Sequence, residues 1–240
     1  MIRVGTSGYS YPEWRGSFYP ERFPPARMLP YYAERFRTVE LNNTFYRMPT
    51  GKAVAGWDQD TPAAFVFALK VPQRITHFAR LRDIAEPLRH FLDTVAALGA
   101  KLGPLLLQLP PNFRKDIGRL GDCLGLVPPS VRMAVEFRHA SWLDDEVYAV
   151  LRARNAALCI ADTETGSTPV VATADFGYLR LRDRAYGGDE LAAWARTAAR
   201  AEWGDAFVYF KHEESGTGAV LARELIGLLS EGAPSGAGCP

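Results

Sequence analysis

The order of apolar and helical segments constrains this chain more than any other feature of its sequence. Eight short segments have the β-branched, aromatic and apolar density of buried strands, and helical patterns lie between most of them. The predicted strands begin at Ile2, Thr38, Phe65, Leu102, Arg132, Ala156, Phe176 and Ala206. Strands that alternate with helices indicate a parallel sheet of the α/β class.

Two architectures can hold such a sheet. Eight strand–helix units in 240 residues match a closed (β/α)8 barrel, whose usual length is roughly 250 residues. An open doubly wound sheet often has a glycine-rich phosphate loop after strand 1, but GTSGYSYPEW has neither G-x-G-x-x-G nor a Walker pattern. We therefore predict a single TIM barrel over residues 1–230, with a short or missing helix between strands 6 and 7, and a flexible tail at 231–240.

Composition argues against several classes of protein. The formal net charge is +1, so no global field favours nucleic acid or a membrane surface. No apolar run reaches the roughly 18 residues of a transmembrane span, and the opening residues show no basic-then-apolar leader. The three cysteines are far apart, so we expect neither a disulfide framework nor a cysteine zinc site. We expect a cytoplasmic protein with no membrane partner; the oligomeric state stays open.

The stretch MAVEFRHASW, Met133 to Trp142, contains charges within a predicted core strand. Alternate side chains of a barrel strand face the helices or the lumen. Apolar Val135 and Phe137 should therefore face the helices, while Glu136 and Arg138 face the lumen. Most other predicted strands also carry polar residues near their carboxyl ends, where this fold keeps its active sites. These residues are Glu40, Asn42, Lys70, Gln108, Asp162, Arg180, Arg182, and either Lys211 or His212.

Two interpretations of this ring of polar residues stay open. One is a buried salt-bridge network, since an unpaired buried charge costs on the order of several kcal/mol. The other is a polar pocket, because apolar packing would often be as stable as buried ion pairs. Aromatic residues and arginines in the loops suit a flat or sugar-like anionic ligand. The predicted substrate-binding residues are Tyr9, Trp14, Asn42, Tyr46, His77, Gln108, Arg138, Trp142, Arg180, Arg182, Lys211 and His212.

Several motifs along the chain resemble one known family. They are GTSGYSYPEWRGSFYP, YYAERFRTVELNNTFYRMP, FALKVPQRITH, LGPLLLQLPPNF, VEFRHASW and TADFGYLRLR. This set resembles the family called domain of unknown function 72, the YecE-like proteins, and the resemblance extends from Ile2 to about Leu228. It implies a TIM barrel, in agreement with the strand pattern, and it implies little about activity.

A metal-free site for an anionic substrate fits the polar ring best. An anionic group would be clamped by Lys70, Arg138, Arg182 and Lys211. Lys70 would serve as a base or Schiff-base former. Glu40 or Glu136 would move a proton. We predict an enzyme, a hydrolase, lyase or isomerase, that acts on a phosphate-bearing, sugar- or nucleotide-like substrate. Its predicted catalytic residues are Glu40, Lys70, Glu136 and Asp162.

Two other functions stay open at this stage. One is a non-catalytic protein that binds single-stranded nucleic acid or an oligosaccharide, which the aromatic and basic rim favours. The other is a divalent-metal-dependent hydrolase or nuclease in which Glu40, Glu136 and Asp162 hold Mg²⁺. The neighbouring cations would repel that ion, so we predict no cofactor and no metal. The expected partner is a small anionic molecule or a nucleic-acid fragment.

Overall fold

A nine-stranded sheet forms the centre of this computed structural model, which describes residues 1–183, 185–212 and 214–231. Eight strands run parallel in the order β1-β9-β8-β6-β5-β4-β3-β2, and the short β7 pairs antiparallel with β6. The strands are β1 (Ile2–Thr6), β2 (Thr38–Leu41), β3 (Val66–Lys70), β4 (Leu102–Gln108), β5 (Met133–Glu136), β6 (Ala157–Thr163), β7 (Gly166–Ser167), β8 (Phe176–Leu181) and β9 (Asp205–Phe210). The predicted strands 7 and 8 are therefore β8 and β9.

Helices connect these strands and surround the sheet, which confirms the predicted TIM barrel. They are α1 (Met28–Ala33), α2 (Asn43–Tyr46), α3 (Gly51–Gln59), α4 (Ala85–Val95), α5 (Ile117–Gly125), α6 (Asp145–Ala153), α7 (Gly188–Ala198) and α8 (Thr217–Glu231). Between β6 and β8, a stretch described without gaps, the chain forms β7 and irregular backbone instead of a helix, as predicted. Of the predicted tail at 231–240, all but Glu231 lies outside the described residues.

Side chains point alternately to the two faces of each strand, and this divides the buried apolar residues into two clusters. Val135 and Phe137 belong to the large cluster between the sheet and the helices, as the pattern predicts. A smaller cluster fills the lumen, and it includes Ala68, Leu106, Ala134, Cys159, Tyr178 and Tyr209. The polar ring therefore lies above a packed floor. No helix in the part of the chain described here is both long and apolar enough to cross a membrane.

The barrel closes between β1 and β2 through a tyrosine hydroxyl. The backbone N–H of Thr6 donates to Tyr32 Oη at 2.9 Å, and that hydroxyl donates to the Thr38 carbonyl at 3.0 Å. A Cβ at position 5 would collide with the same Thr38 carbonyl, so Gly5 permits this close approach. Farther along, the Gly8 N–H donates to the Glu40 carbonyl at 2.8 Å. Tyr32 therefore replaces part of a missing strand ladder.

We expect Tyr32→Phe to lower the free energy of unfolding by about 1–3 kcal/mol, because the change leaves buried backbone groups of Thr6 and Thr38 without partners. Urea denaturation followed by circular dichroism measures the loss. Tyr46→Phe, at a side chain that is 73% exposed, is the matched control and should change stability by less than about 0.5 kcal/mol. Equal stabilities for the two variants would contradict this role of Tyr32.

Candidate functional site

An arginine joins two buried carboxylates across the lumen at the carboxyl ends of the strands. Arg180, on β8, donates from Nη2 to Glu40 Oε1 at 2.8 Å and from Nη1 to Glu136 Oε2. Glu40 lies on β2 and Glu136 on β5, and both are fully buried, while Arg180 is 1% exposed. The planar fork of the guanidinium lets one side chain satisfy acceptors on opposite sides of the barrel.

Two further residues, Ser7 and Tyr178, donate hydrogen bonds to Glu40. Ser7 Oγ donates to its Oε1, and the Tyr178 hydroxyl donates to its Oε2 at 2.6 Å. Asn42 Nδ2 in turn donates to Ser7 Oγ at 2.6 Å. Burial alone would raise the pKa of Glu40, but Arg180, Ser7 and Tyr178 outweigh it and lower the pKa. Glu40 is therefore ionised, and its oxygens are occupied.

Glu136 is held by arginines on two strands. Arg138 Nε donates to its Oε1 at 2.7 Å, and Arg182 Nη1 lies 3.8 Å from the same oxygen. Burial would raise the pKa of this carboxyl group, but Arg180, Arg138 and Arg182 together lower it well below its ordinary value. For Glu40, Glu136 and Arg180 the structure thus shows a buried salt-bridge network.

Lys70, at the end of β3, is hydrogen-bonded to a neutral side chain rather than to a carboxylate. Its Nζ donates to Gln108 Oε1 at 2.8 Å and lies 3.9 Å from the centroid of the Phe45 ring. The residue is 8% exposed. Burial, followed by the charge of Arg180, lowers the pKa of Lys70 to about 8. The neutral form of this amine is therefore more accessible near physiological pH than that of an ordinary lysine, whose pKa is about 10.4.

A cleft of about 1100 Å³ opens beside this ring. Its lining comes from the ends of β5, β6, β8 and β9 and from the start of α8: Arg138, Thr163, Glu164, Thr165, Arg182, Lys211, His212, Glu214 and Thr217. Within the described part of the chain, Arg182 Nε and His212 Nδ1 are buried here without a hydrogen-bond partner. His212 Nε2 is hydrogen-bonded to the Asp183 carbonyl. Lys211 continues the alternation of lumen-facing Tyr209, although both Lys211 and His212 reach the cleft.

Asp162 lies apart from the buried salt-bridge network. Its Oδ2 accepts a hydrogen bond from the Tyr186 hydroxyl at 2.7 Å, and its Oδ1 accepts one from Ser167 Oγ. It shares the side of β6 that carries Leu158 and Ile160, which pack toward the helices. The placement of Asp162 with the lumen charges is therefore corrected. Sequence reasoning missed Tyr186, since a single tyrosine in a loop gives no periodic signal.

The two tryptophans predicted to contact substrate are inside the protein. Trp14 and Trp142 each have no exposed surface. Trp14 packs edge-on against Phe18 with ring centroids 5.4 Å apart. Trp142 stacks on Phe137 at 4.9 Å, and its Nε1 donates to the Phe113 carbonyl at 2.7 Å. The structure differs here from the sequence-based prediction, because both indoles anchor loops to the barrel.

The remaining predicted rim residues occupy different environments. Tyr9 is partly buried, with its ring centroid 6.2 Å from that of Tyr32. Tyr46 is 73% exposed. His77 packs edge-on against Phe45 at 4.8 Å, and the same ring lies 3.9 Å from Lys70 Nζ. A second cleft, of about 680 Å³, is lined by His77, Phe78, Ala79, Arg80, Arg82, Phe113 and Arg119. Among the described residues, no three His, Cys, Asp or Glu side chains are grouped as metal ligands would be.

We expect Arg180→Met to lower the free energy of unfolding at pH 7 by about 3–5 kcal/mol, because it leaves buried carboxylates without their shared cation. In the wild type, a carboxyl group with a lowered pKa contributes constant stability above its ordinary pKa of about 4.3. In the variant, burial raises the pKa of Glu40. The loss of stability in Arg180→Met, relative to the wild type, should therefore shrink as the pH falls from 7 toward the ordinary pKa of a carboxyl group. Denaturant unfolding across this pH range measures the trend.

The exposed Arg152 provides the control for this substitution. Arg152→Met should change stability by less than about 0.5 kcal/mol at any pH in the range. A deficit for Arg180→Met that stayed constant with pH would contradict the assignment of its cause to buried ionised carboxylates.

Comparison of folds finds similar structures that span nearly the whole chain. A DUF72 family protein from Thermotoga maritima MSB8 is 27% identical with a TM-score of 0.81, covering 96% of this chain and 99% of that one. A DUF72 family protein from Enterococcus faecalis V583 is 20% identical with a TM-score of 0.81, covering 96% of each chain. A xylose isomerase domain protein from Alicyclobacillus acidocaldarius, 12% identical with a TM-score of 0.57, shares the fold over 96% of this chain and 99% of its own.

Sequence comparison gives the family. The UPF0759 protein YunF of Bacillus subtilis (strain 168) is 28% identical over an alignment of 160 residues that covers 62% of this chain. The match spans 54% of that protein, about half its length. The family model described as protein of unknown function DUF72 matches residues 3–237. Because this match covers nearly the whole sequence, the chain belongs to the DUF72 family.

Proposed function

We propose that this protein is an enzyme that binds a phosphate-bearing substrate in the cleft and transfers a proton through Lys70 without a metal ion. The observation that carries the proposal is the guanidinium of Arg182. It lines the cleft, and its buried Nε has no hydrogen-bond partner among the residues that the structure describes. Arginine stays charged inside proteins, and a buried donor without an acceptor is costly. A phosphate oxygen would provide that acceptor.

The position of the cleft supports an anionic ligand. TIM barrels frequently bind phosphate between the loops after their last two strands and a helix N-terminus. Here Arg182 follows β8, Lys211 follows β9, and Thr217 begins α8, which has 15 residues. The partial positive charge of the helix N-terminus adds to these cations. Glu164 and Glu214 also line the cleft, so we assign the phosphate to the Arg182 and Lys211 side.

The proton-transfer step belongs to Lys70 in this proposal. Glu40 and Glu136 were predicted to move a proton, but both are fully buried, hydrogen-bonded and lowered in pKa. A carboxylate of that kind is a poor proton carrier near neutral pH. We therefore assign Glu40 and Glu136 to positioning Arg180 and the neighbouring arginines. The pKa of Lys70, about 8, suits a group that gains and loses a proton near physiological pH.

We expect sugar phosphates and inorganic pyrophosphate to stabilise the wild-type protein against heat, while neutral oligosaccharides do not. A ligand at 100 times its Kd adds about 2.7 kcal/mol. Arg182→Gln should lose most of this stabilisation, because the amide keeps hydrogen-bonding capacity and removes the charge. Differential scanning fluorimetry over a ligand series measures both effects.

Arg152→Gln is the matched control for charge removal, since Arg152 is exposed on α6 and is not among the residues that line the cleft. It should respond to phosphates as the wild type does. Stabilisation by neutral sugars with no response to phosphates would contradict the proposed substrate class.

A second candidate function is the binding of single-stranded nucleic acid, and the second cleft favours it. Phe78 and Tyr46 are each 73% exposed, and Arg80, Arg82 and Arg119 lie beside Phe78. Exposed aromatic rings stack on bases, and arginines contact phosphates.

This candidate predicts that a fluorescein-labelled oligonucleotide binds the protein with an affinity that falls steeply as salt rises. Phe78→Ala should weaken binding by about 1–3 kcal/mol, the usual value of one stacked base, in fluorescence anisotropy. Leu126→Ala, at another exposed apolar side chain, should leave the affinity unchanged. Binding that is insensitive to salt and to Phe78→Ala would remove this candidate.

A further inference from the structure

We propose that Lys70 forms a covalent imine with the carbonyl carbon of an anionic aldehyde or ketone. The substrate class is then a phosphate-bearing carbonyl compound. This inference rests on the phosphate site of the proposed function, because the cations of the cleft would hold the phosphate while the amine reacts. It gives Lys70 a covalent role in place of the proton-transfer role.

The strongest observation is the partner that Lys70 binds. Two carboxylates of the polar ring, Glu40 and Glu136, influence its charge, yet both are occupied by arginines. Among the described residues, Lys70 has no carboxylate oxygen within 4.0 Å of its Nζ, and it donates to the neutral amide of Gln108 instead. A lysine retained for structure alone would be stabilised by pairing with a carboxylate. A nucleophilic lysine must instead lose its proton readily.

The surroundings of Lys70 fix the position of its amine. Gln108 on β4 accepts one N–H, and the Phe45 ring covers another side at 3.9 Å. Phe45 is itself packed by His77 and is 7% exposed, so the ring excludes water from that side. A fixed amine with limited hydration meets the orientation requirement of covalent catalysis.

The charges that face Lys70 come from several strands. Burial, Arg180 on β8 and Lys211 after β9 favour the neutral amine. Glu136 on β5 and Glu40 on β2 favour the ammonium form, and His77 lies close enough to interact with Lys70. The balance keeps the pKa of Lys70 near 8, so the nucleophilic form is available without a dedicated base.

A short chain of contacts connects Lys70 to the cleft. Gln108, its hydrogen-bond partner, is paired in register with Glu136 on the adjoining strand. Glu136 contacts both Arg138 and Arg182, which line the cleft. The amine is therefore connected, through Gln108 and Glu136, to the cations that would hold the phosphate.

The covalent step balances without any further reagent. The lone pair of the neutral amine attacks the carbonyl carbon, the carbonyl π pair moves to oxygen, and that oxygen gains a proton to give a carbinolamine. Loss of the hydroxyl group with a second proton releases water and leaves the protonated imine. In sum, the Lys70 ammonium and the carbonyl compound give an iminium ion and water. The iminium then withdraws electrons from the adjacent carbon and lowers the pKa of its C–H bond.

Reductive trapping tests the inference on the full chain. The protein is incubated with glyceraldehyde 3-phosphate and sodium cyanoborohydride, and the adduct is located by peptide mass spectrometry. We expect labelling of Lys70 to be at least about tenfold faster than labelling of the exposed Lys52, and to accelerate with pH through about 8. Glyceraldehyde without phosphate should react with Lys70 about tenfold more slowly. Inorganic phosphate should compete with the phosphorylated probe.

Two variants complete the design. Lys70→Met should abolish the fast labelling, and Lys52→Met should preserve it, with thermal melting used to confirm that both fold. Adduct spread evenly over the lysines of the wild type would overturn the inference, and this result needs no variant to fold. If that happened while inorganic phosphate still stabilised the wild type and not Arg182→Gln, the proposed function would stand without the imine. If phosphate neither stabilised nor competed, the proposed function itself would fail.

Discussion

The buried guanidinium of Arg180 is the interaction on which the polar ring depends. Two carboxylates on opposite sides of a barrel lumen would be too costly to bury without a shared cation. One planar fork reaches both Glu40 and Glu136, and Ser7 and Tyr178 fill further lone pairs of Glu40. Because its members are hydrogen-bonded to one another, the network can lie on an apolar floor within the barrel.

This arrangement determines which polar groups remain available for the proposed chemistry. The arginines occupy the carboxylates that Lys70 would otherwise bind, so the amine faces a neutral amide and an aromatic ring. Arg182 lies 3.8 Å from Glu136, and its buried Nε–H has no acceptor among the described residues. The same ion pairs that stabilise the lumen thus leave Lys70 with a lowered pKa and leave Arg182 with one hydrogen-bond donor that no described residue accepts.

Sequence predicted those parts of the ring that follow strand periodicity. Alternation in β5 and β8 has a strict period of two, so it identified Glu136 and Arg180 correctly as lumen residues. It failed at Asp162, because the residue shares the helix-facing side of β6 and the chain turns there into the β7 hairpin. Trp14 lies in a loop whose side chains pack against one another. Such packing leaves no repeating pattern in the sequence. The closure by Tyr32 depends on contacts between distant segments, which no local pattern reports.

The loops fill the two sides of the barrel mouth unequally. The loop after β1 packs Trp14, Phe18 and Tyr19 against one another, so the aromatic side chains there are buried. The large cleft lies instead over the ends of β5, β6, β8 and β9, where the side chains are shorter or charged. The proposed anionic ligand would therefore approach from the side on which Arg182 and Lys211 lie. Since the closed side is packed with aromatic rings, the charge of that ligand would face the open side, where the cations could contact it.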